Sequence, residues 1–156
     1  MEDKDVLSHA AQIIEQNSIG VLTTVDGQHR PRSRYMAAVA ADGLLRVYSL
    51  SATETRKIEQ IQQNPAVCWI FAGSNYRETV NLSGTARTAP TSSVPMSIWN
   101  QLIESTERYA AAAARDEGHF AYSVIVTQVS TLEFISPSSG IYVPHVIDLN
   151  THAHET

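Results

Sequence analysis

Residues 19–57 read IGVLTTVDGQHRPRSRYMAAVAADGLLRVYSLSATETRK. Three strand-like runs are separated by Asp26-Gly27 and Asp42-Gly43, and the last passes into a helix start at Thr55, Arg56 and Lys57. Asp-Gly between alternating apolar residues is a strong hairpin signal, because glycine accepts the positive φ of a tight turn. Six of the 11 Lys and Arg residues fall between Arg30 and Lys57, against Asp42 and Glu54 of opposite sign. The whole chain is acidic, at formal charge −5. A local surplus of cations on an acidic molecule points to a small bound anion, and a phosphate is the simplest.

The 156 residues suffice for one domain with a proper core. We expect a single domain over 1–156, with its core at about 5–136 and a C-terminal tail at about 137–156. A hydrophobic fraction of 43% and a charged fraction of 17% fit an ordinary globular protein. No apolar run approaches the roughly 20 residues that span a bilayer, and residues 1–18 are charged and amphipathic rather than a signal peptide. The expectation is a cytoplasmic protein with no membrane partner. The single cysteine, Cys68, excludes an intrachain disulfide framework and a four-cysteine zinc site. An acidic balance also argues against nucleic acid as a partner, since that affinity rests on neutralising many phosphates.

Outward from the opening stretch, residues 3–16 place Val6, Leu7, Ala10, Ala11, Ile13 and Ile14 at helical spacing, with one buried stripe. In the second strand, about 32–40, Arg30, Arg32 and Arg34 alternate and share a face. The first two read as solvated cations, whereas Arg34, beside Tyr35 and Met36, needs a partner. A third strand over 44–50 puts Leu45, Val47 and Ser49 on one side. Ser51 and Glu54 fit a capping box for a helix that buries Ile58 and Ile61 and stops at Asn64-Pro65. Ala66–Ala72 is nearly continuous apolar and reads as a strand covered on both faces, with Cys68 as a small buried hydrophobe. A strand over 78–88 contains Gly84, which marks a bulge or the close approach of another backbone. Pro95 suits the first turn of a helix carrying Ile98, Trp99, Leu102, Ile103 and Tyr109, extended by the alanine run 110–114 to about Arg115. Residues 121–129 and 131–135 read as two closing strands, and the tail beyond Pro137 as partly mobile. This order predicts the α+β class, an antiparallel barrel closed or nearly closed, with flanking helices.

These residues resemble the FMN-binding split-barrel family, which includes pyridoxamine 5′-phosphate oxidase and a general-stress-protein branch of short homologues. The resemblance covers roughly residues 5–136. It is carried by Arg34-Tyr35-Met36, by the strand end at Tyr48-Ser49 and by Thr55-Arg56-Lys57, together with Asn64-Pro65-Ala66-Val67 and the run from Val80 through Gly84 to Ala86. It implies an antiparallel split β-barrel with FMN as cofactor. Arg34 would hold the FMN phosphate, joined by Thr55, Arg56 and Lys57. Elementary chemistry agrees, because a phosphate dianion suits a bidentate arginine, a lysine, a hydroxyl donor and a helix N-terminus. The resemblance further implies that Tyr35, Met36, Tyr48 and Ser49 line the flavin, largely through backbone groups, and that Thr79 occupies a flavin-contacting position. It also implies a homodimer with two flavin sites at the interface.

Three departures narrow the function. A lysine that follows the second-strand arginine in the oxidase is replaced by the run Ala38-Val39-Ala40, and the loop between Ser49 and Thr55 is longer. The oxidase's C-terminal Arg-Leu-His-Asp-Arg type motif has no counterpart in residues 130–156. Pyridoxamine phosphate oxidation is therefore not expected. The reading that remains is an FMN-dependent oxidoreductase acting on an unknown small substrate, with a nicotinamide as one candidate electron donor. The alternatives are a non-catalytic flavin-binding module in stress response, or the same barrel using haem or a deazaflavin. No residue stands out as a catalytic acid or base. His145, His152 and His154 lie in the tail without a carboxylate at helical spacing, so no metal site is expected.

Overall fold

A computed structural model of the protein describes residues 1–110 and 122–152. The elements in chain order are α1 (Asp3–Gln16), β1 (Ile19–Val25), β2 (Pro31–Ala37), β3 (Val39–Ala41), β4 (Arg46–Ala52) and α2 (Arg56–Gln63). They continue as β5 (Ala66–Ala72), β6 (Thr79–Ala89), α3 (Met96–Ala110), β7 (Tyr122–Ser136), β8 (Ile141–Asp148) and α4 (Leu149–His152). All strand pairs are antiparallel. The sheet runs in the order β2-β1-β5-β6-β7-β4-β3, with β8 beside β7.

The first and last strands of that order are consecutive in the chain and separated by Ala38 alone. The sheet therefore has to curl until its two edges meet. Ala38 is buried and donates its N–H to the Ser18 carbonyl at 2.8 Å. Ser49 on β4 reaches across the seam, its Oγ donating to the Ala37 carbonyl at 2.7 Å. This is the antiparallel split-barrel architecture expected from the sequence.

The interior follows from strand alternation. Leu22, Trp69, Leu82 and Leu132 fall in one register row across β1, β5, β6 and β7, and all are fully buried. Trp69 stacks on Phe71 and donates its ring N–H to Thr127 Oγ1 at 3.0 Å, so its one polar atom is satisfied inside the core. Val6, Ala10, Ile13 and Ile14 of α1 join this core. A second cluster, with Val39, Tyr48, Leu102, Val124 and Val126, packs α3 on the other side of β3, β4 and β7.

The barrel splits along β7. Its first half pairs with β4 and its second half with β8, while β6 runs beside it throughout. The two strands expected over 121–129 and 131–135 are thus, from Tyr122 on, one strand interrupted by a bulge. Ser83 faces Thr131 and Gly84 faces Val129, which leaves Ser130 as the extra residue. Gly84 is required there, because a Cβ would lie 2.0 Å from the Gln128 carbonyl oxygen.

Other expectations are corrected. The first turn is a five-residue loop in which His29, with φ 61°, takes the left-handed conformation expected of Gly27. The side chain of Asp26 organises that loop by accepting from the Gln28 and Arg30 N–H groups. The second strand ends at Ala37 rather than at Ala40, because the seam interrupts it. No capping box forms at Ser51, which remains in β4, and Thr55 is the residue that precedes α2. Strand β5 is covered on one face only, so Cys68 is half-buried and Ile70 is 39% exposed. The tail, expected to be partly mobile, forms over its described residues β8, which contains Pro144, and the short α4. The helix extension expected through the alanine run, the strand start expected at Ala121, and His154 lie outside the described residues.

Two histidine–carboxylate pairs fasten α1 to the far end of the sheet. His9 meets Glu78 at 2.7 Å, and Asp3 meets His145 at 2.7 Å. Ser136, fully buried, also donates to Glu78 at 2.8 Å. Desolvation raises the Glu78 carboxyl pKa, but the Ser136 and His9 hydrogen bonds outweigh it and hold the group below its usual 4.5. A carboxyl depressed in the fold contributes stability above its unfolded pKa and loses that contribution as pH falls through the folded one.

Two outcomes follow. Gly84→Ala should destabilise the chain by about 3 kcal/mol in urea unfolding, because the bulge cannot absorb a methyl group against backbone. Glu78→Gln should be less stable than the parent chain by about 1 kcal/mol at pH 7. That gap should close as pH falls below 4.5 in the same denaturant titration.

Candidate anion-binding site

Arg34 lies opposite Leu22 on β2 and shares the inward face with Leu22 and Met36. At this end of the barrel α2 packs against β1 and covers the sheet. The guanidinium lies between them. Arg34 Nη1 donates to the Thr24 hydroxyl at 2.8 Å and to the Leu22 carbonyl at 3.2 Å, and Nη2 donates to Gln60 Oε1 at 3.4 Å. Thr24, fully buried, accepts from Arg34 and donates to Gln60 Oε1 at 2.6 Å. Every partner of Arg34 is neutral. The side chain is held in place while its charge is left uncompensated.

Arg56 and Lys57, in the first turn of α2, bring two more cations to the same place. Burial, with the Arg56 charge added, pushes the Arg34 pKa down. Burial, followed by the Arg34 charge, does the same to the Lys57 ammonium. None of the three has a carboxylate partner among the described residues. Elsewhere in the same stretch, Arg30 and Arg32 share Asp26, and Arg46 pairs with Asp42. Arg30 and Arg32 are exposed to solvent, as expected, and the shared carboxylate adds an ion pair to each.

The helix end adds donors. Thr55 makes no side-chain bond to the N–H groups of α2, and its hydroxyl instead meets Ser51 Oγ at 3.3 Å. The first-turn amides of a helix have no intrahelical acceptor, and they carry the positive end of the helix dipole. A cleft of about 310 Å³ opens here, lined by Pro31, Arg32, Ser33, Arg34, Arg56 and Gln60. A larger cavity of about 530 Å³ lies between α1, β3 and α3, but its polar groups include Glu15 and Glu104 and it has no cation. The chemistry for an anion is in the smaller one.

The remaining candidate residues are distributed differently. Ser49 is fully buried and its hydroxyl is committed to the Ala37 carbonyl. Met36 belongs to the barrel core and Tyr48 to the cluster under α3, so side-chain contact with a ligand is not available to either as packed. Tyr35 is 67% exposed on the outer face of β2. Thr79 opens β6, three residues before Leu82, and Leu82 lies three strands from Arg34 along its register row. A single chain does not bring Thr79 to the cations. Sequence reasoning missed Thr24 and Gln60, the two residues that seat Arg34. The signal was present: Thr24 interrupts the apolar inward alternation of Gly20 and Leu22, and Gln60 lies three residues after Lys57 on the helix.

Comparison with known proteins bears on the whole barrel. The family model for pyridoxamine 5′-phosphate oxidase matches residues 7–136. General stress protein 26 of Bacillus subtilis (strain 168) is 28% identical over 110 residues, which is 67% of this chain and 74% of that protein. The crystal structure of general stress protein 26 from Bacillus anthracis str. Sterne shares the fold at TM-score 0.68 and 19% identity, covering 91% of this chain and 97% of that one. A pyridoxamine 5′-phosphate oxidase-related, FMN-binding protein from Nostoc punctiforme PCC 73102 superposes at TM-score 0.66 and 13% identity, over 95% and 91% of the two chains. The same fold is used by an F420 reductase (TM-score 0.61, 21% identity, 78% and 93% covered) and a haem-binding protein from Mycobacterium smegmatis (TM-score 0.66, 14% identity, 92% and 57% covered). By the match over 7–136, this chain belongs to the pyridoxamine 5′-phosphate oxidase family.

Proposed function

We propose that the chain binds FMN through its phosphate and acts as a flavin-dependent oxidoreductase on a small substrate. One observation carries this reading: Arg34, Arg56 and Lys57 converge at the α2 end of the barrel, and none has a carboxylate partner among the described residues. Repulsion of that kind is costly unless an anion relieves it, and a phosphate dianion is matched by the donors present. Arg34 would engage the phosphate in a fixed orientation, because Thr24 and Gln60 hold its other edge. Lys57 would add a point charge, and Thr55, with the first amides of α2, would add neutral donors.

Bound there, FMN would supply hydride or electron transfer. The chain's own part is to bind, orient and shield. No side chain of the cleft is placed as an acid or base: the lining consists of arginines, Ser33, Gln60 and Pro31. The C-terminal motif of pyridoxamine phosphate oxidation is missing from residues 130–156, so that reaction is not assigned.

We further propose a homodimer. The outer face of the barrel carries Tyr35 and Ile70 in one register row at 67% and 39% exposure, with Ile19 nearby at 45%; Asn81 and Glu133 continue the row to Val146, at 57%. A second chain covering that face would bury the apolar residues at its β2 end. Its Thr79 would enter a site that one chain leaves incomplete. A cytoplasmic location fits this reading, and no helix among the described residues is long and apolar enough to cross a membrane.

Titration with FMN followed by visible absorption should give shifted flavin bands and one flavin per chain. Arg34→Ala combined with Lys57→Ala should weaken FMN binding by roughly a thousandfold, since two charge-assisted contacts are lost. Full FMN affinity in that double variant would refute the phosphate assignment. Anaerobic bleaching of the bound flavin by NADH or NADPH supports the oxidoreductase, whereas a flavin that no nicotinamide reduces favours the non-catalytic module. Haem or deazaflavin bands in place of FMN bands would retain the barrel and change the cofactor.

A further inference from the structure

Arg32 lines the same cleft as Arg34 and Arg56. It stands two residues from Arg34 on β2 and faces the same way, opposite Thr24 in the register. Two residues along a strand are about 7 Å apart, a gap that two arginine side chains can close on one anion. A long, exposed cation beside Arg34, Arg56 and Lys57 is repelled by like charge and would ordinarily swing away into water.

Asp26 opposes that. The Nε of Arg32 donates to Asp26 Oδ2 at 3.1 Å, and the Nε of Arg30 donates to the same oxygen at 2.9 Å. The other oxygen, Oδ1, accepts from the Gln28 and Arg30 backbone N–H groups, so the carboxylate is itself fixed by the loop. The Asp26 carboxyl is thereby held well below its usual range, by the Arg30 N–H above all, and it stays ionised at any physiological pH. Arg32 is gripped only at Nε, and its outer NH₂ groups have no acceptor among the described residues. A guanidinium has five N–H donors in a fixed fork, so four remain for a ligand. Arg30, on the same carboxylate, is not among the residues that line the cleft.

We propose that Arg32 is a further contact of the FMN phosphate and that Asp26 is its positioning residue. Asp26 fixes the guanidinium before the ligand arrives, so less side-chain freedom is lost on binding. This inference rests on the phosphate reading of the Arg34 site and adds two residues to it. It also makes a demand on sign. A carboxylate near an anion site opposes the anion by charge alone, so its removal would then strengthen binding. As a positioning residue, Asp26 has the reverse effect.

The test is titration of the full chain with FMN and with riboflavin, followed by flavin fluorescence. Riboflavin has the ring without the phosphate and should bind the parent chain more weakly than FMN. Arg32→Gln should weaken FMN binding about tenfold, the worth of one charge-assisted contact, and leave riboflavin binding as it was. Arg32 is exposed, so its replacement does not threaten the core. Arg46→Gln, which removes the same charge from a residue paired with Asp42, should leave both unchanged. Asp26→Asn keeps one oxygen for the Gln28 and Arg30 N–H groups and replaces the oxygen that both guanidinium groups share. It should weaken FMN binding about threefold in the parent chain and not at all in the Arg32→Gln background. FMN affinity unchanged by Arg32→Gln, in a chain that still prefers FMN to riboflavin, overturns the contact and leaves the flavin reading intact. FMN binding that Asp26→Asn strengthens, or weakens equally with and without Arg32, overturns the positioning role. A parent chain that binds FMN no better than riboflavin, or binds neither, overturns the phosphate reading and this inference with it.

Discussion

The seam at Ala38 is the constraint on which the barrel depends. Because β2 and β3 lie at opposite ends of the strand order yet are joined by one residue, no flat arrangement of this sheet is possible. Ala38 has to be small and buried, and its N–H has to find a partner off the ladder, which Ser18 provides. Once the seam is fixed, the hydrogen bond from Ser49 to Ala37 sets the position of β4, and the end of β4 sets where α2 begins. The cationic cleft is therefore a consequence of closure. Arg34 comes from a strand on one side of the seam, and Arg56 and Lys57 follow a strand on the other.

At the cleft, packing and electrostatics oppose each other. Folding brings Arg34 and Lys57 out of water and toward like charge, which disfavours the charged form of each. The protein counters this with neutral acceptors only. Thr24 and Gln60 fix the guanidinium without neutralising it, so the attraction for an outside anion is preserved. A carboxylate in the place of Gln60 would stabilise the chain and remove the site. Asp26 shows the opposite arrangement on the same strand pair, where two arginines are neutralised in part and aimed by the remainder.

The barrel was legible in the sequence because its signals are local. Alternation in β1 and the stop at Asn64-Pro65 each have one physical meaning whatever their surroundings, and the glycine at 84 marks a bulge or a close backbone approach. The misreadings came from long-range pairing. One strand looked like two at Ser130, since a bulge and a break leave the same mark in a single chain. The tail looked mobile because Pro144 hides a strand whose partner lies in β7. Strand β5 looked doubly covered because Cys68 and Ile70 are apolar, and hydrophobicity alone does not tell a core from a surface awaiting a partner. For the site, charge pattern was enough to single out Arg34, Arg56 and Lys57. It could not reveal Thr24 and Gln60, which carry no charge and act only through geometry.

The proline in β8 has a consequence beyond the fold. Among the described residues β8 pairs with β7 alone, which leaves its other side an edge, with Tyr142 and Val143 exposed along the strand. Such a strand is a template for further strands, and copies at high concentration would be prone to stack through it. Pro144 has no N–H to offer and interrupts the row at its middle. The same residue that obscures β8 in the sequence removes one donor from its open edge, which opposes edge-to-edge pairing of copies.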